Sequence, residues 1–117
     1  MRRAQPDAAL LAKHGFSARR NASMAYVWAR AGADKIEARF FFIANGAVVE
    51  DPATGSACAN LGGYLASVAR EGMSFSYRVE QGAAVGRPSV LALSHEHERG
   101  IFVGGRVVQL GRGSLFV

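Results

Sequence analysis

The chain has 117 residues, of which 50% are hydrophobic and 20% charged. This composition is typical of one globular domain and unlike that of a disordered or collagen-like chain. No apolar run is long enough for a membrane-spanning helix, and the single cysteine, Cys58, excludes an internal disulfide or a cysteine-cluster zinc site.

The formal net charge of +5 comes from one part of the chain. Residues 1–30 hold six basic residues and one acid, whereas residues 31–117 hold eight of each. Because no aromatic side chains interleave with these arginines as they do on many nucleic-acid-binding faces, the charge pattern argues against a nucleic-acid partner. The N-terminus lacks the apolar core of a signal peptide, so we expect a cytoplasmic protein.

The first half of the chain predicts one short helix and two strands. Pro6 and Asp7 favour a helix over residues 8–12 that ends at Gly15. Residues 23–29 and 36–44 are rich in strand-forming side chains, and a turn sequence separates them. The second strand contains an unbroken apolar run, which predicts that both of its faces are covered.

A helix is predicted over residues 56–71, ending at Gly72. Its apolar residues recur at three- and four-residue spacing and predict one buried stripe. That stripe comprises Ala57, Leu61, Tyr64, Leu65 and Val68. Gly62 and Gly63 each cost about 1 kcal/mol of helix propensity, so we expect this helix to pack closely against a sheet.

The rest of the sequence predicts strands at residues 74–81, 88–94 and 101–110. The last of these is interrupted at Gly104–Gly105, where a bulge is expected, and residues 115–117 predict a further edge strand. The predicted elements are five or six strands, one central helix and one short helix, which is an α+β composition in one domain over residues 1–117.

The segment Glu50-Asp51-Pro52-Ala53-Thr54-Gly55-Ser56-Ala57 carries the clearest chemical signal. Pro52 ends the preceding strand, Thr54 or Ser56 can cap the helix, and Gly55 allows close approach of a ligand. Free N–H groups at the helix start favour a carboxylate or phosphate. The two acids beside this point suggest proton transfer by one of them. The same residues also fit an ordinary capped helix with solvated acids, and the pattern leaves both interpretations open.

Several motifs in this chain resemble the C-terminal half of the PhzF-like phenazine-biosynthesis isomerase family. They are EDPATGSA at residues 50–57, the strand at residues 38–41, Gln81-Gly82, Gly86-Arg87-Pro88-Ser89 and Val103-Gly104-Gly105. The resemblance covers roughly residues 5–117, and the combination of motifs is more specific than any one of them.

The resemblance implies a fold related to diaminopimelate epimerase, with two similar halves and an active site in the cleft between them. This chain is then one such half, an α+β domain with a curved, mostly antiparallel sheet around one central helix. It implies isomerisation of a small carboxylic acid by proton movement, without a metal or an organic cofactor. Asp51 is then the catalytic acid of this half, and Glu50, Thr54, Gly55, Ser56 and Ala57 surround the substrate, with Gly55 and Ser56 holding its carboxylate. Thr54 lies where related epimerases have a catalytic cysteine, so a two-cysteine mechanism is not expected.

The family's essential glutamate comes from the N-terminal half, and no segment of these 117 residues matches that half. Four explanations are open: a fragment, a separate N-terminal partner, a loss of catalysis, or a homodimer that imitates the two halves. Because an uncovered apolar face favours association, we expect a homodimer or a complementary half. The competing functional hypothesis is a non-catalytic module that binds small acids or another protein on the same scaffold.

Two weaker signals remain. The sequence His95-Glu96-His97-Glu98 has spacing that fits a metal site, but it also fits a solvated hairpin turn. Cys58 fits either a small buried residue or a thiol activated by the helix start.

Overall fold

A computed structural model describes residues 3–116 as an antiparallel-rich sheet with two α-helices. The helices are α1 (Ala8–His14) and α2 (Gly55–Val68). The strands are β1 (Phe16–Ser17), β2 (Ala22–Arg30), β3 (Lys35–Ala44), β4 (Ala47–Asp51), β5 (Phe75–Gln81), β6 (Ser89–Glu96) and β7 (Gly100–Gly104). A 3₁₀ turn at Ala83–Val85 joins β5 to β6. Arg2, one of the six basic residues within residues 1–30, lies outside the described residues.

The sheet has the order β1-β2-β3-β5-β6-β7, with β4 pairing to β3 alone. All pairs are antiparallel except β3 with β5, which pair in parallel through residues 35–37 and 78–80. A parallel pair needs a crossover connection, and β4 and α2 together supply it. Beyond residue 37, β3 leaves β5, and from Phe40 onwards it pairs with β4. The predicted α+β class with one central helix is confirmed.

The main core lies between α2 and one face of the sheet. It consists of Ile36, Ala38, Cys58, Leu61, Leu65, Val79, Leu91 and Leu93. The other face is partly covered by α1, whose Leu11 is buried and lines a groove together with Phe41. Helices on both sides account for the unbroken apolar run in β3. Among residues 3–116, no helix has the length and apolarity needed to cross a lipid bilayer.

The helix α2 ends three residues earlier than the sequence predicts. Ala69 adopts an extended conformation with ψ 161°, and its N–H donates to Ala66 O. Gly72 has a φ of +80° and belongs to the following turn. Tyr64 and Val68, predicted to be buried, are 55% and 63% exposed. Tyr64 lies on the side of β2, with its ring centroid 6.1 Å from that of Trp28, and within residues 3–116 no strand pairs with the outer side of residues 25–30 of β2.

The strand predicted over residues 101–110 ends at Gly104 instead of bulging there. Residues 105–116 have no regular secondary structure, so the edge strand expected at residues 115–117 is also absent from the part that is described; Val117 lies outside it. The sequence pattern was strand-like, but a strand forms only where a neighbour accepts its hydrogen bonds. In residues 3–116 no strand lies next to this stretch.

Gly62 and Gly63 offer a matched test of close packing on α2. A Cβ added at Gly62 lies 2.7 Å from Ile101 Cγ2 and 2.8 Å from Leu93 Cδ1, whereas at Gly63 the nearest atom is 3.7 Å away. Both changes to Ala bring the same gain in helix propensity. We expect Gly62→Ala to be less stable than Gly63→Ala by about 1–3 kcal/mol because of overpacking. Urea unfolding of the two variants measures this difference, and equal stabilities contradict it.

The thiol of Cys58 provides a second test of the core. Its side chain is fully buried, and burial raises the pKa of Cys58 from 9.0 to about 11. We therefore expect the native thiol to react with a small aromatic disulfide at pH 8 at least about 100-fold more slowly than in the unfolded chain. Absorbance of the released thiolate, with and without guanidinium, measures the ratio. Similar rates in the two states contradict an inert thiol.

Candidate functional site

The candidate site lies where β4 ends and α2 begins. Asp51 is the last residue of β4, and Thr54 is the N-cap of α2, with φ −112° and ψ 91°. The sequence predicted that a hydroxyl of Thr54 or Ser56 caps the helix. Thr54 does occupy the N-cap position, but its side chain makes no capping hydrogen bond.

The hydroxyl of Thr54 is used by Asp51 instead. Thr54 Oγ1 donates to Asp51 Oδ2 over 2.5 Å. The same hydroxyl oxygen accepts from Gln81 Nε2 over 2.9 Å. Asp51 is half-buried, and within residues 3–116 its Oδ1 has no hydrogen-bond donor. One carboxylate oxygen is thus held in place while the other can accept a proton.

Gln81 connects the three segments that meet at this point. Its side-chain amide donates to Asp51 O over 2.7 Å as well as to Thr54 Oγ1. Its Oε1 accepts from Tyr26 over 3.3 Å and, over a longer 3.4 Å, from Thr54 N. Gln81 is 2% exposed, so this set of bonds satisfies a polar group inside the core. Burial, with a smaller contribution from Cys58, raises the pKa of Tyr26 and keeps its hydroxyl a neutral donor.

At the start of α2, fewer backbone amides lack a hydrogen-bond acceptor than the sequence predicted, but those of Gly55 and Ser56 do. The amide of Thr54 is engaged by Gln81, and the first intrahelical bond is from Cys58 N to Thr54 O at 3.0 Å. Within the described chain, the amides of Gly55 and Ser56 have no acceptor. Both residues are exposed. An anion can therefore approach these two donors from solvent.

Glu50 does not lie at the helix start, contrary to the expectation from the sequence. Neighbouring strand residues point to opposite faces, so Glu50 and Asp51 diverge. Glu50 forms a two-point ion pair with Arg39, at 3.0 and 2.7 Å, on the face away from α2. Its side chain is 8% exposed, and the hydrogen bond to Glu50 raises the pKa of Arg39. The two acids therefore do not form the adjacent pair that the sequence suggested.

Ala57 and the histidine segment are the remaining residues that the sequence singled out. The side chain of Ala57 is buried at 6% exposure and belongs to the core, unlike the exposed Gly55 and Ser56. His95 lies in β6 and its Nδ1 is 3.1 Å from Met73 O, while His97 lies in the following turn. Across residues 3–116, no three metal-ligating side chains are grouped to hold an ion.

Two residues of the site, Gln81 and Tyr26, were not among those predicted. A signal for Gln81 was present, since Phe75, Tyr77 and Val79 alternate onto one face and residue 81 continues that face. A glutamine at a core position must find internal partners. For Tyr26 the sequence gives no comparable signal, because its bond to Gln81 spans 55 residues and depends on the strand order.

Comparisons with known proteins identify the family to which the chain belongs. The sequence profile of the family described as "Phenazine biosynthesis-like protein" matches residues 2–113. Over 80 residues the chain is 48% identical to a protein of Pasteurella multocida (strain Pm70) that is named an uncharacterized isomerase. The aligned stretch covers 68% of this chain and 27% of that relative, so the chain matches about a quarter of the relative's length. The resemblance drawn from the sequence motifs is confirmed, and the chain belongs to the PhzF-like family of phenazine-biosynthesis-like proteins.

Proposed function

We propose that this chain forms one half of a cofactor-independent isomerase that moves a proton on a small carboxylic acid. The observation that carries the proposal is the arrangement at the start of α2. Asp51 is held through one oxygen by Thr54, next to a helix start with exposed amides at Gly55 and Ser56. The name of the Pasteurella relative supports the reaction class.

In this proposal the substrate carboxylate binds the amides of Gly55 and Ser56, where the helix dipole also favours negative charge. Asp51 then exchanges a proton with the substrate through Oδ1, while Thr54 fixes the carboxylate by holding Oδ2. An isomerisation removes a proton at one carbon and returns one at another. One carboxyl can make both transfers when both carbons lie within its reach. We assign any transfer beyond the reach of Asp51 to a second group, carried by a second body that covers the site.

That second body is a further copy of this chain or a complementary N-terminal half. Asp51 is half-buried, and Gly55 and Ser56 are exposed, so this half alone leaves the reacting atoms open to water. Closing such a site strengthens its hydrogen bonds and prevents protons from being lost to solvent. We propose that the protein works in the cytoplasm as part of a biosynthetic process.

Asp51 and Glu50 give a matched pair of variants for the reaction. We expect Asp51→Asn to lower deuterium incorporation from heavy water into a dihydro-hydroxyanthranilate-like acid by about 100-fold or more. Glu50→Gln is expected to keep the incorporation rate but to lower stability by about 3 kcal/mol, because it breaks a largely buried ion pair. NMR follows the exchange at a temperature where circular dichroism shows each variant folded.

If Asp51→Asn incorporates deuterium at the wild-type rate, Asp51 is not a catalytic residue. Binding of the acid by the wild-type chain with no deuterium incorporation, alone or with a complementary half, favours the alternative function. In that case the chain is a module that binds small acids without acting on them.

Gly55 allows the carboxylate site to be tested at a single amide. Proline is tolerated at the first position of a helix, and an added side chain at Gly55 meets no atom within 4 Å. Gly55→Pro removes one N–H donor, and we expect it to weaken binding of the acid by about 10–100-fold. Gly55→Ala keeps the donor and is expected to bind like the wild type. Calorimetric titration compares the two, and equal affinities contradict the amide site.

A further inference from the structure

Residues 105–116, which we call the arm, carry apolar side chains that nothing in the described chain covers. The exposed fractions are 90% for Val107, 65% for Val108, 96% for Leu110, 95% for Leu115 and 99% for Phe116. Single exposed apolar residues are common on proteins, but five within twelve residues are a concentration that favours association. The arm follows β7 directly, and its sequence is strand-like.

The opposite edge of the sheet lacks a strand. β1 pairs only with residues 22 and 23 of β2, so residues 25–30 have no neighbouring strand on their outer side within residues 3–116. Tyr64 of α2 lies beside this edge, with its ring centroid 6.1 Å from that of Trp28, and Val68 follows one turn later. We call residues 25–30 together with Tyr64 and Val68 the seam. A strand placed there pairs with β2 and covers both exposed side chains of α2.

The dimensions of the chain indicate how much surface remains to be covered. Its accessible surface is 8577 Å², whereas a folded monomer of 12.4 kDa is expected to expose about 6,100 Å². Its radius of gyration is 16.2 Å, against about 13 Å for a compact domain of this length. The excess surface is larger than the roughly 800 Å² that each partner buries in a standard interface.

We propose that the arm is an exchanged strand, which pairs with the seam of a second copy of this chain. Arm and seam lie at opposite ends of the strand order, with β3, β5 and β6 between β2 and β7. The arm does not fold back over its own sheet, as its exposure shows. In two copies related by a two-fold axis, each arm pairs with the seam of the other copy. No arm or seam is then left over for a third copy, so the assembly stops at a dimer.

The lengths and the chemistry of the two surfaces match. Twelve extended residues span about 40 Å, more than the six residues of β2 that need a partner. The seam has backbone N–H and C=O groups without a strand partner, next to apolar side chains. The arm has backbone groups that can pair with them and apolar side chains that can cover those of the seam. This inference deepens the partner named in the proposed function. Its test measures mass and amide protection, so its failure is distinguishable from a failure of the Asp51 exchange experiment.

The test compares three substitutions of an exposed apolar residue by Lys. Leu110→Lys changes the arm, Val68→Lys changes the seam at the end of α2 where a cation is tolerated, and Val85→Lys, at a residue 41% exposed on the 3₁₀ turn, is the control. We expect the wild type and Val85→Lys to sediment at micromolar concentration with twice the mass of 12.4 kDa. Leu110→Lys and Val68→Lys are expected to weaken the dimer by about 100-fold.

Hydrogen exchange of the wild type provides the second measurement, and it does not depend on any variant folding correctly. In the wild type, amides of the arm and of residues 25–30 are expected to be protected, and dilution below the dissociation constant removes both protections together. A monomeric wild type at micromolar concentration overturns the proposal, as does a dimer that persists in a chain ending at Gly104. A dimer disrupted by Leu110→Lys but not by Val68→Lys places the arm elsewhere and overturns it too.

Discussion

The site depends on one buried amide, that of Gln81, which holds together segments that the sheet itself leaves apart. Beyond residue 37, β3 and β5 separate, so no ladder of hydrogen bonds joins the end of β5 to the end of β4. Gln81 spans this gap by donating to Asp51 O and Thr54 Oγ1. A buried amide with all its groups paired fixes a geometry, because any displacement leaves a polar group unsatisfied.

The glycine after this glutamine is part of the same constraint. Gly82 has a φ of +82°, and a Cβ there would lie 2.6 Å from Pro52 O and 2.3 Å from Arg87 O. Only a glycine allows the chain to turn so close to the segment between β4 and α2. The proline that ends β4 and the glycine that follows β5 thus pack directly against each other, and the position of Asp51 follows from their contact.

The sequence predicted local secondary structure well, but it predicted poorly which distant residues lie next to each other in the fold. Both helices and the strands β2, β3, β5 and β6 follow from side-chain periodicity, proline and glycine, which act within a few residues. Which face Glu50 takes depends on the register of β4 against β3, and that register is set by long-range pairing. The exposure of Tyr64 and Val68 likewise depends on where the sheet ends, which helix periodicity does not encode.

The open edge of the sheet and the candidate site are connected through β2. Tyr26 lies in the part of β2 that pairs with no outer strand among residues 3–116, and its hydroxyl donates to Gln81 Oε1. A strand added to this edge restricts β2, and through Tyr26 it restricts one of the bonds that orient the Gln81 amide. Because that amide positions Thr54, and Thr54 positions the Asp51 carboxylate, covering the edge also limits the motion of the proposed proton-handling group. In the proposed assembly, a second body at the seam therefore acts on the site by fixing β2.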